Sequence, residues 1–246
     1  MFKWSDSDKT MIPIMLGCII LISVALFFVL KNKSEKVKRI PLMVISVSLI
    51  VLEVVKQIYF ISKGTYTANH IPAHFCSLIV FIIAFAEFLP KKLSKWLEVP
   101  SVVFPIIALV LLLVHPQSMI GGSSGKIFKD FPNFHAFMFH ALVVAYPIIK
   151  LTIIRIEHNL KYCISLVGCI VFYGSYAIPI AFKFNNNYIN ILRSMFPPLE
   201  KFRVSCGQVW YDIVLFLIGV GASILIYLIW YFIEKLVNKR RNKNAT

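Results

Sequence analysis

Cys76 is the side chain best suited to covalent chemistry, because it follows Pro72 and His74 at the start of an apolar run. Proline favours the first position of a helix, and counting from Pro72 predicts that Cys76 lies about 6 Å along the helix. The positive end of the helix dipole acts there and favours a thiolate. A partner histidine would complete a nucleophile and base, whereas the usual role of a buried cysteine is inert packing.

Two histidines of a later apolar run, His135 and His140, are candidates for that base. They are five residues apart and therefore point about 140° away from each other on a helix. Counted from Pro132, His135 is about 4.5 Å deep and His140 about 12 Å deep. Depth alone makes His135 the closer match to Cys76, and either ring is also able to bond a neighbouring helix without taking part in catalysis.

Glu53 and Lys56 are ionisable residues inside another apolar run and share a helix face with Gln57. Charges inside a membrane are costly, so each is a candidate functional residue. A neutralising Glu53–Lys56 pair is the interpretation we favour. The alternative is that Glu53 orients a histidine, as the acid of a catalytic triad does.

A metal site and a disulfide bond are two further possibilities. Five side chains of the zinc- and copper-binding types are present: His70, His74, Cys76, His135 and His140. Their spacing gives no ligand pair on a common helix face, so we expect no metal and no other cofactor. A disulfide between Cys76 and Cys206 is conceivable, and spacing alone does not decide it.

Composition identifies the class of protein. The chain has 246 residues, of which 59% are hydrophobic and 15% are charged, and its mean hydropathy is +0.78. A soluble domain is about 45–50% apolar and about 25% charged. These values exclude a soluble fold, a disordered chain and a disulfide-rich secreted module, and they predict an all-α polytopic membrane protein.

Seven stretches are long and apolar enough to cross the hydrocarbon core, which takes about 20 residues. They cover about residues 11–30, 40–62, 72–90, 99–117, 132–154, 162–182 and 209–234. The first has acidic residues before it and a basic stop after it, so we expect a retained span rather than a signal peptide. We expect one seven-helix domain over residues 1–246.

The net charge of +15 comes mainly from the connections between spans. Most lysines and arginines lie after spans 1, 3 and 5 and in the C-terminal tail. The positive-inside rule therefore places the N-terminus outside and the C-terminus in the cytoplasm. This pattern predicts contact of the basic face with anionic lipids and no nucleic-acid partner.

The sequence resembles a known membrane protein family at three places. Ile71-Pro72-Ala73-His74-Phe75-Cys76 is similar to the Leu-Pro-Leu-His-Leu-Cys segment of the bacterial YwaF-like proteins, which are related to the transmembrane protein 164 group of animals. His140-Ala141 looks like the histidine and small residue of the family's fifth span. Asn187-Tyr188-Ile189-Asn190 resembles an Asn-Tyr-Met-Tyr-like segment and departs from it at the end. The resemblance covers most of the chain from about residue 40 onward.

The resemblance implies lipid acyl-ester chemistry in a bacterial cell membrane. The animal relatives are regarded as phospholipid acyltransferases with a cysteine nucleophile and a histidine, and more distant relatives resemble lipid hydrolases of the androgen-induced type. Carried over, Cys76 is the nucleophile and His140 is the base. His74, Asn187 and Tyr188 would bind a headgroup or an oxyanion, and Arg193 would pair with a phosphate. The expected partners are membrane phospholipids or lysophospholipids.

Two other classes of function fit seven spans. A small-molecule or proton-linked transporter would use Glu53, Lys56 and the buried histidines, although the sequence has no inverted repeat. A scaffold without chemistry would need none of these residues. Loss of Cys76 or His140 would inactivate an enzyme, whereas a transporter would depend more on Glu53 and Lys56.

Overall fold

The computed structural model describes residues 4–121, 123–156 and 159–243, and in these ranges the chain forms ten α-helices. They are α1 (Asp6–Leu30), α2 (Glu35–Ser62), α3 (Phe75–Phe88), α4 (Lys91–Glu98), α5 (Pro100–Val114), α6 (Pro116–Ile120), α7 (Phe131–Ile153), α8 (Cys163–Phe184), α9 (Pro197–Cys206) and α10 (Gln208–Lys243). Short 3₁₀ turns connect several of them. The expected all-α class is confirmed.

Within the described ranges, seven helical segments are long and apolar enough to span a membrane, as the sequence predicts. They are Asp6–Leu30, Glu35–Ser62, Ala68–Phe88, Lys91–Val114, Phe131–Ile153, Leu160–Phe184 and Gln208–Val237. The fourth begins earlier than expected because α4, with its lysines, runs directly into α5 at Val99. Large apolar side chains on these helices are exposed, for example Leu21 at 71% and Phe28 at 63%. An exposed apolar surface of this kind suits contact with lipid tails.

Two compact units make up the chain, Met1–Ile156 and Glu157–Thr246. The single domain over residues 1–246 stays a prediction. In the first unit, α7 packs against α1, α2 and α5, and α3 packs mainly against α2, α4 and α5. In the second unit, α10 packs against α8 and α9.

The start of α1 is held by a buried carboxylate. Ser5 caps the helix by accepting from the Asp8 N–H, and Asp8 accepts in return from the Ser5 N–H at 2.9 Å. The Asp8 carboxylate also accepts from Ser124 at 2.5 Å and from Gln117 at 3.1 Å. Asp8 is fully buried. These bonds fasten the first span to the connection before α7 within the first unit.

Helix ends in the second unit follow ordinary capping rules. Asn185 adopts a left-handed conformation with φ +48° and ends α8, as asparagine often does at this position. Gly207 has φ +89° between α9 and α10, a conformation that glycine adopts without steric cost. Asn185 and Gly207 thus lie at the two ends of the connection between α8 and α10.

Candidate functional site

Cys76 is the second residue of α3. The helix begins at Phe75, with His74 as its N-cap, so the prediction that Pro72 occupies the first helical position is wrong. Pro72 lies between a 3₁₀ turn at Ala68–His70 and the helix, where the Ala73 N–H donates to the Ile71 carbonyl at 2.7 Å. Residues 71–74, which include the residues expected to open the helix, lie outside any helix. Cys76 therefore lies closer to the N-terminal end of the dipole than the sequence predicted.

His140 lies on α7 with its ring fixed by the backbone. Its Nδ1 atom is 2.7 Å from the carbonyl oxygen of Ala136, one turn earlier. His140 also interacts electrostatically with His74, although the two are far apart in sequence. His74, Cys76 and His140 are all partly exposed. The fold thus brings the start of α3 and the middle of α7 near each other.

No hydrogen bond joins the Cys76 thiol to His135 or His140 among the described residues. Hydrogen bonds of catalytic groups are often long without substrate and tighten only in the reacting complex. The pairing of Cys76 with His140 therefore stays a prediction.

His135 is a second unusual histidine of α7. It is 8% exposed, and its ring stacks on Phe139 with a 5.3 Å centroid distance and touches Phe131 at 5.9 Å. Its Nε2 atom is buried and has no hydrogen-bond partner among the described residues. A buried polar atom without a partner is rare in a native structure and calls for an explanation such as a ligand.

The Glu53–Lys56 pair that we favoured from the sequence is present. The Lys56 Nζ atom lies 2.8 Å and 2.7 Å from the two oxygens of Glu53. Gln57 donates to Glu53 at 2.7 Å and to the His70 carbonyl at 2.7 Å. The His70 ring accepts from the Thr67 N–H at 2.9 Å and stacks on Phe60. Glu53 thus supports the turn that precedes α3 through Gln57, and its role in orienting a histidine stays a prediction.

Lys56 is the positive charge common to the whole candidate site. Its ammonium interacts electrostatically with His70, His74, Cys76, His135 and His140. No group of three histidine, cysteine, aspartate or glutamate side chains able to hold a metal ion occurs among the residues that the structure describes. The candidate site combines these histidines and the cysteine with one ammonium, which is paired with Glu53.

The polar residues expected from the 183–208 connection lie in the second unit. The Asn187 side chain accepts from the Leu192 and Arg193 N–H groups at 2.9 and 3.2 Å, and it donates to the Arg193 carbonyl at 2.9 Å. Tyr188 is fully buried, whereas Arg193 is exposed. Asn187 organises the loop around Arg193, and the binding roles of the three residues stay predictions.

All five cysteines are free thiols, including Cys76 and Cys206. The conceivable disulfide between these two is therefore wrong for this structure. Cys206, the last residue of α9, is exposed, whereas Cys76 is partly buried.

A closed ring of four charges was missed by the sequence reasoning. Arg39 binds Glu87 at 3.0 Å and Glu98 at 2.5 Å, and Lys150 binds the same two carboxylates at 3.2 and 2.5 Å. The side chains of Glu87 and Lys150 have no exposed surface. We call these four residues the charge ring. They come from α2, α3, α4 and α7, and their charges cancel.

Two hydroxyl groups form hydrogen bonds with members of the charge ring. Tyr146 donates to Glu87 at 2.5 Å and lies 2.8 Å from the Lys150 ammonium, which also contacts Ser101 at 3.0 Å. Glu87 and Lys150 each interrupt an otherwise apolar run, and this was the available signal in the sequence. A charge inside a membrane is a reason to search for a partner, but nothing in the local sequence shows that Glu87 and Lys150 pair with each other.

Seven apolar helices and buried, mutually paired charges define a multi-pass integral membrane protein. A model of the TMEM164 family matches residues 1–233, and the chain belongs to that family. The match confirms the resemblance to the transmembrane protein 164 group and extends it over α1. No curated protein and no solved structure matches the chain.

Proposed function

We propose that this protein is a membrane-embedded phospholipid acyltransferase or lipid acyl-ester hydrolase, with Cys76 as nucleophile and His140 as base. The supporting observation is that Cys76 lies in the first turn of α3, two residues after His74, and that His74 interacts electrostatically with His140 of α7. A cysteine and a histidine of this kind form the minimal unit of covalent acyl catalysis. The reaction itself is carried over from the resemblance.

The His140 ring has the hydrogen-bonding arrangement that a base requires. A carbonyl oxygen only accepts hydrogen bonds, so the contact with Ala136 assigns the proton to Nδ1. The Nε2 atom then carries a lone pair. A fixed tautomer with a free Nε2 is the state in which histidine removes a proton from a nucleophile.

The first half-reaction forms a thioester. His140 Nε2 takes the Cys76 proton as the sulfur attacks an ester carbonyl carbon of a phospholipid. The tetrahedral intermediate collapses, the C–O bond breaks, and the leaving lysophospholipid oxygen takes the proton back from His140. The His135 Nε2 atom, buried without a partner among the described residues, and the Lys56 ammonium are suited to stabilise the negative oxygen of the intermediate.

The second half-reaction releases the acyl group. His140 takes a proton from a hydroxyl of a second lysolipid or from water, and that oxygen attacks the thioester carbonyl. The C–S bond breaks and the sulfur recovers its proton. A lysolipid acceptor gives a new phospholipid and makes the protein a transferase, whereas water gives a free fatty acid and makes it a hydrolase. The partly exposed positions of Cys76 and His140 suit a lipid that enters from the side.

The same proposal places the N-terminus outside, the C-terminus in the cytoplasm, and the site near the outer leaflet of a bacterial cell membrane. The positive-inside rule supports this orientation. On α4, the side chains of Lys91, Lys92 and Lys95 are exposed beside Leu93 and Trp96. Exposed lysines with leucine and tryptophan are typical of a helix at a lipid headgroup surface, and anionic lipids are the proposed partner there.

Intact-mass analysis of the full chain with mixed phospholipids tests the chemistry. We expect the wild-type protein and Cys206→Ala to gain one fatty acyl group that hydroxylamine removes, and Cys76→Ala to gain none. Analysis of the released lipids then separates transfer from hydrolysis. An adduct retained by Cys76→Ala, or no adduct and no lipid product with folded wild-type protein, would contradict the proposal.

A further inference from the structure

Glu87 and Lys150 lie on the same two helices as Cys76 and His140. Glu87 is near the end of α3, whose first turn contains Cys76, and Lys150 is on α7, ten residues after His140. We propose that the charge ring sets the axial register of α3 against α7, so that Glu87 and Lys150 are positioning residues for the cysteine and the histidine. This inference rests on the proposed function.

The stretch of α3 between the candidate site and the charge ring is nearly as long as the corresponding stretch of α7. Eleven residues separate Cys76 from Glu87 and ten separate His140 from Lys150, which corresponds to about 16 and 15 Å of helix. The ring brings Glu87 and Lys150 to 3.2 Å. The helices α3 and α7 run in the same direction. The contact between Glu87 and Lys150 therefore places Cys76 and His140 at almost the same height along the two helix axes.

Few other direct contacts between α3 and α7 fix this register. α3 and α7 touch each other little, and each packs extensively on α2. Most residues between the candidate site and the charge ring are apolar, for example Ile79 and Ile83 on α3 and Val143 and Val144 on α7. Apolar side chains in lipid or in a helix interior tolerate small axial shifts, because dispersion contacts are not directional.

The ring has the directionality that these apolar contacts lack. Glu87 accepts from the Tyr146 hydroxyl and contacts the Lys150 ammonium, which are one turn apart on α7. A slip of α3 by one turn would separate Glu87 from Tyr146 and Lys150 and leave its buried carboxylate without these two partners. Buried ion pairs add little net stability, but they are well suited to specify one register.

Two double variants separate this role from general stability. Glu87→Gln/Lys150→Met removes one negative and one positive charge and breaks the tie between α3 and α7. Arg39→Gln/Glu98→Gln also removes one of each sign and leaves Glu87, Lys150 and Tyr146 in contact. Both variants keep the ring neutral, so neither leaves an unbalanced charge in the first unit.

The readout is a distance and needs no acyl transfer. The four cysteines other than Cys76 are replaced by alanine, His140→Cys is added, and a short thiol cross-linker joins positions 76 and 140 in the full chain in membranes. We expect efficient cross-linking in this parent, a decrease of about tenfold with Glu87→Gln/Lys150→Met, and a change of less than about twofold with Arg39→Gln/Glu98→Gln. In the native-site protein, thioester formation should follow the same order.

The outcomes distinguish the two proposals. Cross-linking that responds as expected, in a protein that forms no thioester, supports the positioning role of the ring and refutes acyl chemistry. Equal cross-linking in all variants, or none in the parent, overturns the positioning role even if a thioester forms. If Glu87→Gln/Lys150→Met fails to fold, Tyr146→Phe decides, since it keeps every charge: a two- to threefold loss of cross-linking supports the proposal, and no loss overturns it.

Discussion

The Nδ1 atom of His140 lies 2.7 Å from the carbonyl oxygen of Ala136, one helical turn earlier on α7. The carbonyl can only accept, so the hydrogen bond holds the ring in one orientation and leaves Nε2 with its lone pair. In the proposed function, Nδ1 holds the His140 ring in place and Nε2 takes the proton.

His140→Asn tests whether Nδ1 and Nε2 have these two separate roles. The asparagine amide provides an N–H near the former Nδ1 position but has no atom that replaces Nε2. We expect the melting temperature to stay close to that of the wild type and thioester formation to decrease by about 100-fold or more. Intact-mass time courses and thermal denaturation in the same detergent measure both. A variant that forms the thioester at the wild-type rate would exclude His140 as the base.

His135→Phe should separate stability from activity. The ring stacks between two phenylalanines, and its Nε2 atom is buried without a partner among the described residues. Phenylalanine removes that atom, and we expect stabilisation of about 1 kcal/mol. If Nε2 contacts the oxyanion, thioester formation should fall about 10- to 100-fold at the same time. Thermal denaturation and intact mass are the measurements, and a more stable variant with full activity would remove His135 from the proposed site.

Glu53→Gln should destabilise the first unit by about 3 kcal/mol, because the largely buried Lys56 ammonium loses its carboxylate. Glu53→Gln/Lys56→Met removes both charges, and we expect it to recover most of that loss. Chemical denaturation of the two variants beside the wild type measures the difference. A double variant as unstable as the single one would indicate that Glu53 stabilises the turn before α3 through Gln57 instead.

Asp8→Ala and Asp6→Ala are a matched pair in the first turn of α1. Asp8 is fully buried and accepts from Ser124 and Gln117, so its loss leaves buried donors without an acceptor, and we expect about 2–3 kcal/mol of destabilisation. Asp6 has a fully exposed side chain beside Lys9, and its loss should change little. Equal thermal stability of the two variants would show that Asp8 does not fasten α1 to the following connection.

The Glu200 carboxyl is expected to titrate with a pKa below the ordinary range for glutamate. Its carboxylate accepts from Arg203 at 3.0 and 2.5 Å and from the Ser194 N–H at 2.8 Å. These bonds lower the pKa of Glu200 to about 2 and raise the pKa of Arg203. A lowered carboxyl pKa gives stabilisation that is complete above the ordinary value of about 4.3 and is lost as the pH falls towards 2.

The ¹³C resonance of the Glu200 carboxyl, assigned with Glu200→Gln, measures this pKa. We expect the group to remain ionised at pH 4 in the wild type. In Arg203→Gln it should titrate near the ordinary value, because the charged donor is gone. A wild-type midpoint close to 4.3 would mean that these hydrogen bonds do not persist in solution.

The sequence by itself determined the seven spans and the candidate pair Cys76 and His140. Membrane crossing requires about 20 apolar residues in one stretch, which is a local property that hydropathy along the chain reports directly. Cysteine and histidine are few in this chain, so residue type and the family segment were sufficient to select them. Orientation, acyl chemistry and lipid partners stay predictions.

Only the tertiary structure decided where α3 begins and which charges pair. The helix starts at Phe75 instead of Pro72 because residues 71–74 form an irregular segment. This segment follows a 3₁₀ turn at Ala68–His70, whose His70 carbonyl accepts from Gln57 of α2. Arg39 and Lys150 share two carboxylates although more than 100 residues separate them along the chain. Pairing across helices depends on which faces meet after packing, and no local pattern in the sequence carries that information.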